Sequence, residues 1–204
     1  MTTTKFTART VQELRQRTGA GMMECKRALE ETEGDVDAAV EYLRRKGISK
    51  AEKRAAREAS EGQIGSYIHH NGKVGVLVEV NCETDFVARN EEFMALVRSI
   101  AEHIAAGVPA PPIAIHKDGV PPEQVDRERR ILEDQAKASG KPDNVVAKMV
   151  EGRIRKFYEE VVLLEQPWVR DDSRTIGDLL REASAKMGEN IVIRRFARYR
   201  MGEE

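Results

Sequence analysis

The sequence has few of the features that disulfide frameworks, metal sites or membrane spans require. Its only cysteines, Cys25 and Cys82, lie too far apart to predict a disulfide framework or a zinc knuckle, and we expect both to be reduced. No apolar run approaches the roughly 18 residues of a membrane-spanning helix. The opening stretch MTTTKFTART lacks the apolar segment of a signal peptide and the length of a transit peptide. We therefore expect a cytoplasmic bacterial protein without a membrane partner.

The chain also has almost no net charge. Its 34 Lys and Arg residues nearly balance 35 Asp and Glu residues, so the whole molecule is not expected to attract nucleic acid. A local patch is conceivable in 50–57, or in the predicted strand 194–200, where Arg194, Arg198 and Arg200 would share a face. Interleaved acids in the first stretch and the neutral total favour a solvated surface or a protein interface. An apolar content of 40% is enough for an ordinary globular core.

The motifs of nucleotide binding and catalysis are absent as well. The sequence has no GxxxxGK[ST] phosphate loop and no GxGxxG between a strand and a helix. The neighbours His69 and His70 should point to opposite faces of a strand end and so cannot easily share a metal. Cys82 is interpreted as a buried structural thiol, and Glu91 and Glu92 as first-turn acids that complement a helix dipole. We predict no catalytic residue, no metal site and no cofactor.

Three short helices are predicted in the first 48 residues. Thr7 or Thr10 caps the first, with Glu13 as the second member of a capping box. Gly34 ends the second helix, and Asp35 caps the third. The side chains expected to face the core of this unit are Val11, Leu14, Met22, Cys25, Leu29, Val36, Ala39, Val40 and Leu43.

A highly charged stretch follows this helical unit. Gly47 is predicted to end the third helix, and Ser49 with Glu52 matches a capping box that opens a new one. Because KAEKRAAREASE has little apolar surface to bury, we interpret the stretch as a helical connector. This divides the chain into 1–48, 49–61 and 62–204.

The last part changes from helical to strand periodicity. Apolar residues alternate from Val74 to Cys82, and the Asn71-Gly72 pair before them is a strong hairpin signal. Further helices are predicted at 93–107, 123–138, 144–164 and 175–188. A final strand, which could join the hairpin, is predicted at 190–200. The predicted class is α+β, with an N-terminal three-helix domain and a core in which a small antiparallel sheet packs against helices.

An aromatic residue stands at the corner between the hairpin and the next helix. The stretch EVNCETDFVARNEEF places Phe86 directly after Thr84 and Asp85. The ring either folds back as a hydrophobic staple or remains free for a partner. Asp85 caps the turn, makes a polar contact with that partner, or does both. The residues alone leave these alternatives open.

Two long motifs carry a family resemblance. LRQRTGAGMMECKRALEETEGDVDAAVEYLR resembles the N-terminal domain of bacterial elongation factor Ts, which is similar to ubiquitin-associated (UBA) domains. EVNCETDFVARNEEF resembles the second signature of that family, and KMVEGRIRK, TIGDLL and GENIVIRRF resemble further segments. Members of the family are guanine nucleotide exchange factors that bind the translational GTPase elongation factor Tu and accelerate GDP release.

The resemblance implies roles for two sets of residues. Beside the Mg²⁺ region of the GTPase it places Thr84, Asp85, Phe86 and Val87, and it makes the Phe86 ring a wedge. For docking of the helical domain on the GTPase it implies Arg15, Met22, Met23 and Lys26. The residues themselves add one indication. Adjacent methionines lie about 100° apart on a helix, so one of Met22 and Met23 should be exposed. An exposed methionine at this place suggests contact with a partner.

The resemblance is to the short form of the family. Longer members have a duplicated core and a protruding coiled coil, whereas this chain has a single hairpin and one further strand after Gly62. A single core copy suggests a homodimer formed through the final strand and its neighbours. We predict elongation factor Tu as the partner, with no direct contact to nucleic acid. The alternatives are a UBA-like module that binds peptides or proteins, and an RNA-binding accessory protein of translation.

Overall fold

The chain folds as the predicted α+β protein. The computed structural model describes residues 6–18, 20–138 and 142–203, and only the backbone of 48–53. The helices are α1 Ala8–Thr18, α2 Met22–Glu31, α3 Val36–Arg54, α4 Asp85–Ala88, α5 Glu91–Ala106, α6 Pro122–Lys137, α7 Asp143–Val161 and α8 Ile176–Met187. The strands are β1 Glu61–Ile68, β2 Val74–Cys82, β3 Pro167–Trp168, β4 Asp171–Thr175 and β5 Val192–Arg200.

The first three helices enclose a small core of their own. Its buried side chains are Val11, Leu14, Cys25, Ala28, Leu29, Ala39 and Leu43. Thr7 is the cap of α1, because its hydroxyl accepts from the backbone N–H of Thr10 at 3.3 Å. Glu13 is not part of a capping box and pairs instead with Arg9 at 3.2 Å. Asp35 caps α3 as predicted, since its carboxylate accepts from two first-turn backbone N–H groups at 3.0 Å each.

The predicted end of the third helix at Gly47 is wrong. Helix α3 continues through this residue to Arg54 because it packs along α8. A Cβ built at Gly47 would lie 3.1 Å from the Cβ of Ala185, so the glycine permits a close approach of two helices. No new helix begins at Ser49, whose side chain lies outside the described atoms together with that of Glu52.

A three-stranded antiparallel sheet forms the centre of the second part. The hairpin of β1 and β2 turns at Asn71-Gly72 as predicted, and β5 joins it on the far side of β2. Gly72 has φ of 68°, which glycine adopts at little steric cost. The inner face of the sheet packs on α5 and α8, and its buried residues include Val76, Val78, Val80, Cys82, Phe93, Ile100, Ile104 and Leu180.

The outer face of the sheet is open. Ile64, Ile68, Leu77 and Tyr199 are each more than half exposed on it. Leu77 lies at its centre, paired with Ser66 on one side and Ala197 on the other. A sheet face with this many apolar side chains in water is a candidate interaction surface.

The remaining helices and a second hairpin complete the core. Helices α6 and α7 pack on each other through Leu132, Ala136, Val146, Val150 and Ile154. Part of the SGKP stretch that separates them lies outside the described residues. The two-stranded sheet of β3 and β4 was not predicted, because β3 has two residues and shows no alternation. Among the described helices, none has the length and apolar character to cross a membrane.

Candidate partner-binding site

The corner between β2 and α5 is a short turn that contains α4, and a side chain caps the N-terminus of each of these two helices. The Thr84 hydroxyl accepts from the backbone N–H of Val87 at 3.3 Å and caps the four-residue helix α4. Asn90 then caps α5, with its side-chain oxygen accepting from the N–H of Glu92 at 2.8 Å. Because both ends are capped, the backbone direction through the turn is well defined.

Phe86 projects from this turn into solvent. Its side chain is 79% exposed, the largest fraction among the exposed large apolar residues of the described chain. A hydrophobic staple would bury the ring against its own helix, so that alternative does not apply in this structure. Burial of a phenylalanine ring is worth about 1.5 to 3 kcal/mol, a free energy that remains available for a partner.

The neighbours of Phe86 divide between the surface and the core. Asp85 is exposed and pairs with Arg89 at 3.1 Å. It does not cap the turn, because Thr84 occupies that position. Val87 is 6% exposed and packs in the core, so its side chain anchors the turn from inside. The four matched residues therefore present outward one exposed ring and one exposed carboxylate, the latter paired with Arg89.

Two glutamates join this turn to the loop before β5. Glu189 accepts from the backbone N–H groups of Glu83 and Thr84 at 3.0 and 3.1 Å, and from the Thr84 hydroxyl at 2.6 Å. In return, Glu83 accepts from the backbone N–H of Asn190 at 2.7 Å. Glu83 and Glu189 are 106 positions apart, and no spacing in the sequence indicates that they meet.

Cys82 lies beneath the turn as the predicted buried thiol. Its Sγ–H donates to the backbone oxygen of Thr84 at 3.2 Å. Burial, with the nearby Glu189 carboxylate adding to it, raises the pKa of the Cys82 thiol to about 11. The thiol is therefore protonated at neutral pH and is a poor nucleophile.

The histidine pair does not follow its predicted geometry. The rings of His69 and His70 lie 4.2 Å apart, so they do not point to opposite faces. Both residues follow the last residue of β1, Ile68, where strand alternation no longer applies. Within the described residues, no group of three or more His, Cys, Asp or Glu side chains is placed to hold a metal ion.

The residues matched to docking all lie at the surface of the helical unit. Arg15 is on α1, and Met22, Met23 and Lys26 are on α2. The prediction that α2 buries Met22 is wrong, since Met22 and Met23 are 44% and 60% exposed. Both methionines lie in the first turn of α2, ahead of the buried residues that face the core of the unit. Two exposed, flexible thioethers suit an adaptable protein contact.

The helical unit is held against the core through α8. Arg44 pairs with Glu182 at 3.2 Å, and the Arg54 guanidinium donates to the backbone oxygen of Ser184 at 3.3 Å. An open cleft of about 590 Å³ lies between the two parts, with Thr18 and Lys186 among its lining residues. The docking residues and the Phe86 turn thus belong to one connected framework.

Two of the three arginines expected to share a face do so: Arg198 and Arg200 lie on the same face of β5 as Phe196, whereas Arg194 lies at the bulge in the pairing of β5 with β2. Arg198 is nine-tenths buried and pairs with Glu203 at 2.7 Å, and Arg200 pairs with the same carboxylate at 3.3 Å. Arg195 pairs with Glu79 at 2.6 Å. These acids neutralise the basic stretch locally, which is consistent with a surface for protein contact.

An exposed aromatic ring on a capped turn and two exposed methionines are typical of a surface that contacts another protein. A family model described as "Elongation factor TS" matches residues 4–203. The chain is 55% identical over 198 residues to elongation factor Ts of Geotalea uraniireducens, covering 97% of this chain and 90% of the relative. It is 54% identical over 197 residues to elongation factor Ts of Oleidesulfovibrio alaskensis, covering 97% and 98%.

The chain belongs to the elongation factor Ts family. Its role therefore lies in translation elongation, as a non-catalytic nucleotide exchange factor.

Proposed function

We propose that this protein is the guanine nucleotide exchange factor of elongation factor Tu and promotes GDP release by disturbing the Mg²⁺ and phosphate region of that GTPase. The observation that carries the proposal is Phe86, a ring held in solvent by a capped turn. Membership of the elongation factor Ts family supports the choice of partner. The site of action is the cytoplasm, without direct contact to nucleic acid.

Exchange by such a factor is a problem of linked equilibria. A factor that binds the nucleotide-free GTPase more tightly than the GDP-bound form weakens GDP binding by the same ratio. Each tenfold requires about 1.4 kcal/mol of differential binding. GDP is held largely through its phosphates and Mg²⁺, so a ring inserted beside them competes directly with the nucleotide.

Each residue of the proposed site has a distinct part in this scheme. Phe86 is the wedge, and Asp85 offers a carboxylate next to it. Thr84 and Val87 hold the turn, by capping and by burial. Docking of the helical unit on the GTPase domain involves Arg15, Met22, Met23 and Lys26.

The open sheet face supports a homodimer of this chain. Ile64, Ile68, Leu77 and Tyr199 lie on one face of the sheet, and pairing two such faces would remove their apolar atoms from water. Sheets pack face to face at about 10 Å with interdigitated side chains, a geometry that the small Ser66 and Ala197 beside Leu77 would accommodate. Two single cores would then form one two-lobed assembly.

The direct test is release of a fluorescent GDP analogue from bacterial elongation factor Tu. With excess unlabelled GDP as chase, we expect release to accelerate with the concentration of this protein. Removal of Mg²⁺ with EDTA should accelerate release in the absence of the factor and add little at saturating factor, because both act on the same region. Release that this protein leaves unchanged would refute the proposal. If the accelerations by EDTA and by this protein were fully additive, the Mg²⁺ mechanism would be refuted but the exchange activity would not.

A further inference from the structure

We infer that the loop Gly188–Asn190 positions the Phe86 turn and the helical unit, the two parts proposed to contact the partner. Glu189 sets the direction of the Phe86 turn. Asn190 holds the segment that leads from the helical unit into the core. The inference rests on the proposed function and assigns roles to two residues of the segment GENIVIRRF, outside the two long motifs to which partner contacts were matched. Neither Glu189 nor Asn190 is proposed to touch the partner. Both are positioning residues.

Glu189 makes the contacts that orient the turn. Its carboxylate accepts three hydrogen bonds, two from the backbone of Glu83 and Thr84 and one from the Thr84 hydroxyl. The same hydroxyl caps α4 by accepting from Val87. Since Phe86 is 79% exposed, little of its own surface holds it, and its direction depends on the backbone of α4. A shift of Thr84 would therefore move the ring.

Asn190 connects the same loop to the segment after α3. Its side-chain N–H donates to the backbone oxygen of Arg57 at 2.7 Å, and the residue is 6% exposed. The Arg57 guanidinium lies 3.4 Å from the Glu83 carboxylate, which in turn accepts from the Asn190 backbone. The connector, the turn and the loop thus form one hydrogen-bonded cluster.

The loop itself is fixed at both ends, as a positioning element must be. Gly188 ends α8 in the left-handed conformation with φ of 80°, and the Ser184 hydroxyl donates to the Glu189 backbone oxygen at 2.5 Å. The next residue, Ile191, is buried in the core. Helix α8 also contacts α3 through Glu182 and Ser184, so the loop has a fixed relation to the helical unit.

The test combines GDP release with a double-mutant cycle. Glu189→Ala removes both acceptor oxygens, and with them all three hydrogen bonds, and is expected to reduce stimulated GDP release about tenfold. Glu189→Gln keeps one acceptor oxygen and should reduce it less. In a Phe86→Ala background, Glu189→Ala should have little further effect because it acts through the ring. Asn190→Ala should also reduce stimulation, but additively with Phe86→Ala, since it acts through the helical unit. Glu151→Ala, which breaks an exposed ion pair with Arg129 on the α6–α7 hairpin, is the matched control and should change nothing.

Hydrogen exchange of the free full-length protein gives a second readout that needs no GTPase. We expect the amides of Glu83 and Thr84 to exchange at least tenfold faster in Glu189→Ala than in the wild type. The inference would be overturned if Glu189→Ala changed neither amide hydrogen exchange nor GDP release. It would also be overturned if the effects of Glu189→Ala and Phe86→Ala on GDP release were additive and Glu189→Ala merely lowered the melting temperature. If the wild type itself does not accelerate GDP release, the proposed function fails, and hydrogen exchange still decides whether Glu189 fixes the turn.

Discussion

At the scale of single residues, Phe86 separates function from stability. Replacement of Phe86 by Ala removes a ring that is already in solvent, so the melting temperature of the free protein should be nearly unchanged. If the ring is fully buried in the complex, its loss is worth about 1.5 to 3 kcal/mol, or roughly tenfold to a hundredfold in stimulated GDP release. Thermal melting and the release assay measure the two effects on one preparation.

Two matched substitutions show whether the effect is specific to the ring. Arg89→Ala, one turn further along the same surface, should reduce GDP release less because it has no ring to insert. Ile131→Ala removes an exposed apolar side chain from α6 and should leave release unchanged. A Phe86→Ala protein that melts several degrees lower while it exchanges GDP normally would show that the ring serves the fold.

A buried histidine makes the stability of the core depend on pH. His103 is 1% exposed, and its Nε2 lies 3.0 Å from the Gln166 side-chain oxygen while Nδ1 accepts from the backbone N–H of Val169. Burial lowers the pKa of His103 below its usual value of about 6.5. The unfolded chain therefore binds a proton near pH 6.5 and the folded chain only at lower pH, so this contribution to stability decreases as the pH falls below about 6.5.

Urea unfolding at pH 7.5 and pH 5.5 measures this loss. One group can change the free energy of unfolding by at most about 1.4 kcal/mol for each pH unit. His103→Gln removes the titrating group, so the variant should be less stable at pH 7.5 but show a smaller difference between the two pH values. An equal difference in both proteins would assign the pH dependence to other groups.

At the scale of elements, two glycine-to-alanine substitutions should change the free energy of unfolding in opposite directions. A Cβ at Gly65 of β1 would lie 2.3 Å from a methyl carbon of Val97, so Gly65→Ala forces α5 away from the sheet. We expect a loss of about 1 to 3 kcal/mol in the free energy of unfolding. Gly152 lies exposed within α7 with no atom near a built Cβ, so Gly152→Ala should stabilise the protein by about 0.5 to 1 kcal/mol.

Circular dichroism melts of the two alanine variants test this packing directly. A Gly65→Ala protein as stable as the wild type would mean that α5 and β1 can separate without cost. A destabilising Gly152→Ala would mean that the outer side of α7 is covered in solution. Both variants introduce the same methyl group, so any difference between them reflects their surroundings.

At the scale of the whole molecule, the open sheet face predicts self-association. Light scattering of the free protein at micromolar concentration should give twice the chain mass of 22.9 kDa. Leu77→Asp places a charge at the centre of the face and should reduce the mass to that of one chain. Ile131→Asp, on the exposed side of α6, is the control and should leave the dimer intact. A wild-type protein with the mass of one chain would contradict the homodimer.

The predictable parts of this fold have signals that act over a few residues. The Asp35 cap, the Asn71-Gly72 hairpin and the start of α8, where Thr175 and Asp178 form a capping box, depend on hydrogen bonds within about four positions along the chain. The alternation of β2 predicts its buried face because side chains of a strand point to opposite sides in turn. Family motifs likewise indicated the corner that carries Phe86, since these signatures are contiguous in sequence.

The packing of distant elements accounts for what the sequence did not indicate. Gly47 lies inside α3 because Ala185 of α8 comes close to it, and the turn at Thr84 is fixed because Glu189 lies beside it. Both partners are more than 100 positions away and depend on where α8 comes to rest. The exposure of Phe86 and Met22 is likewise a property of what packs around them. No local spacing encodes the position of a distant helix, because that position results from burial summed over the whole core.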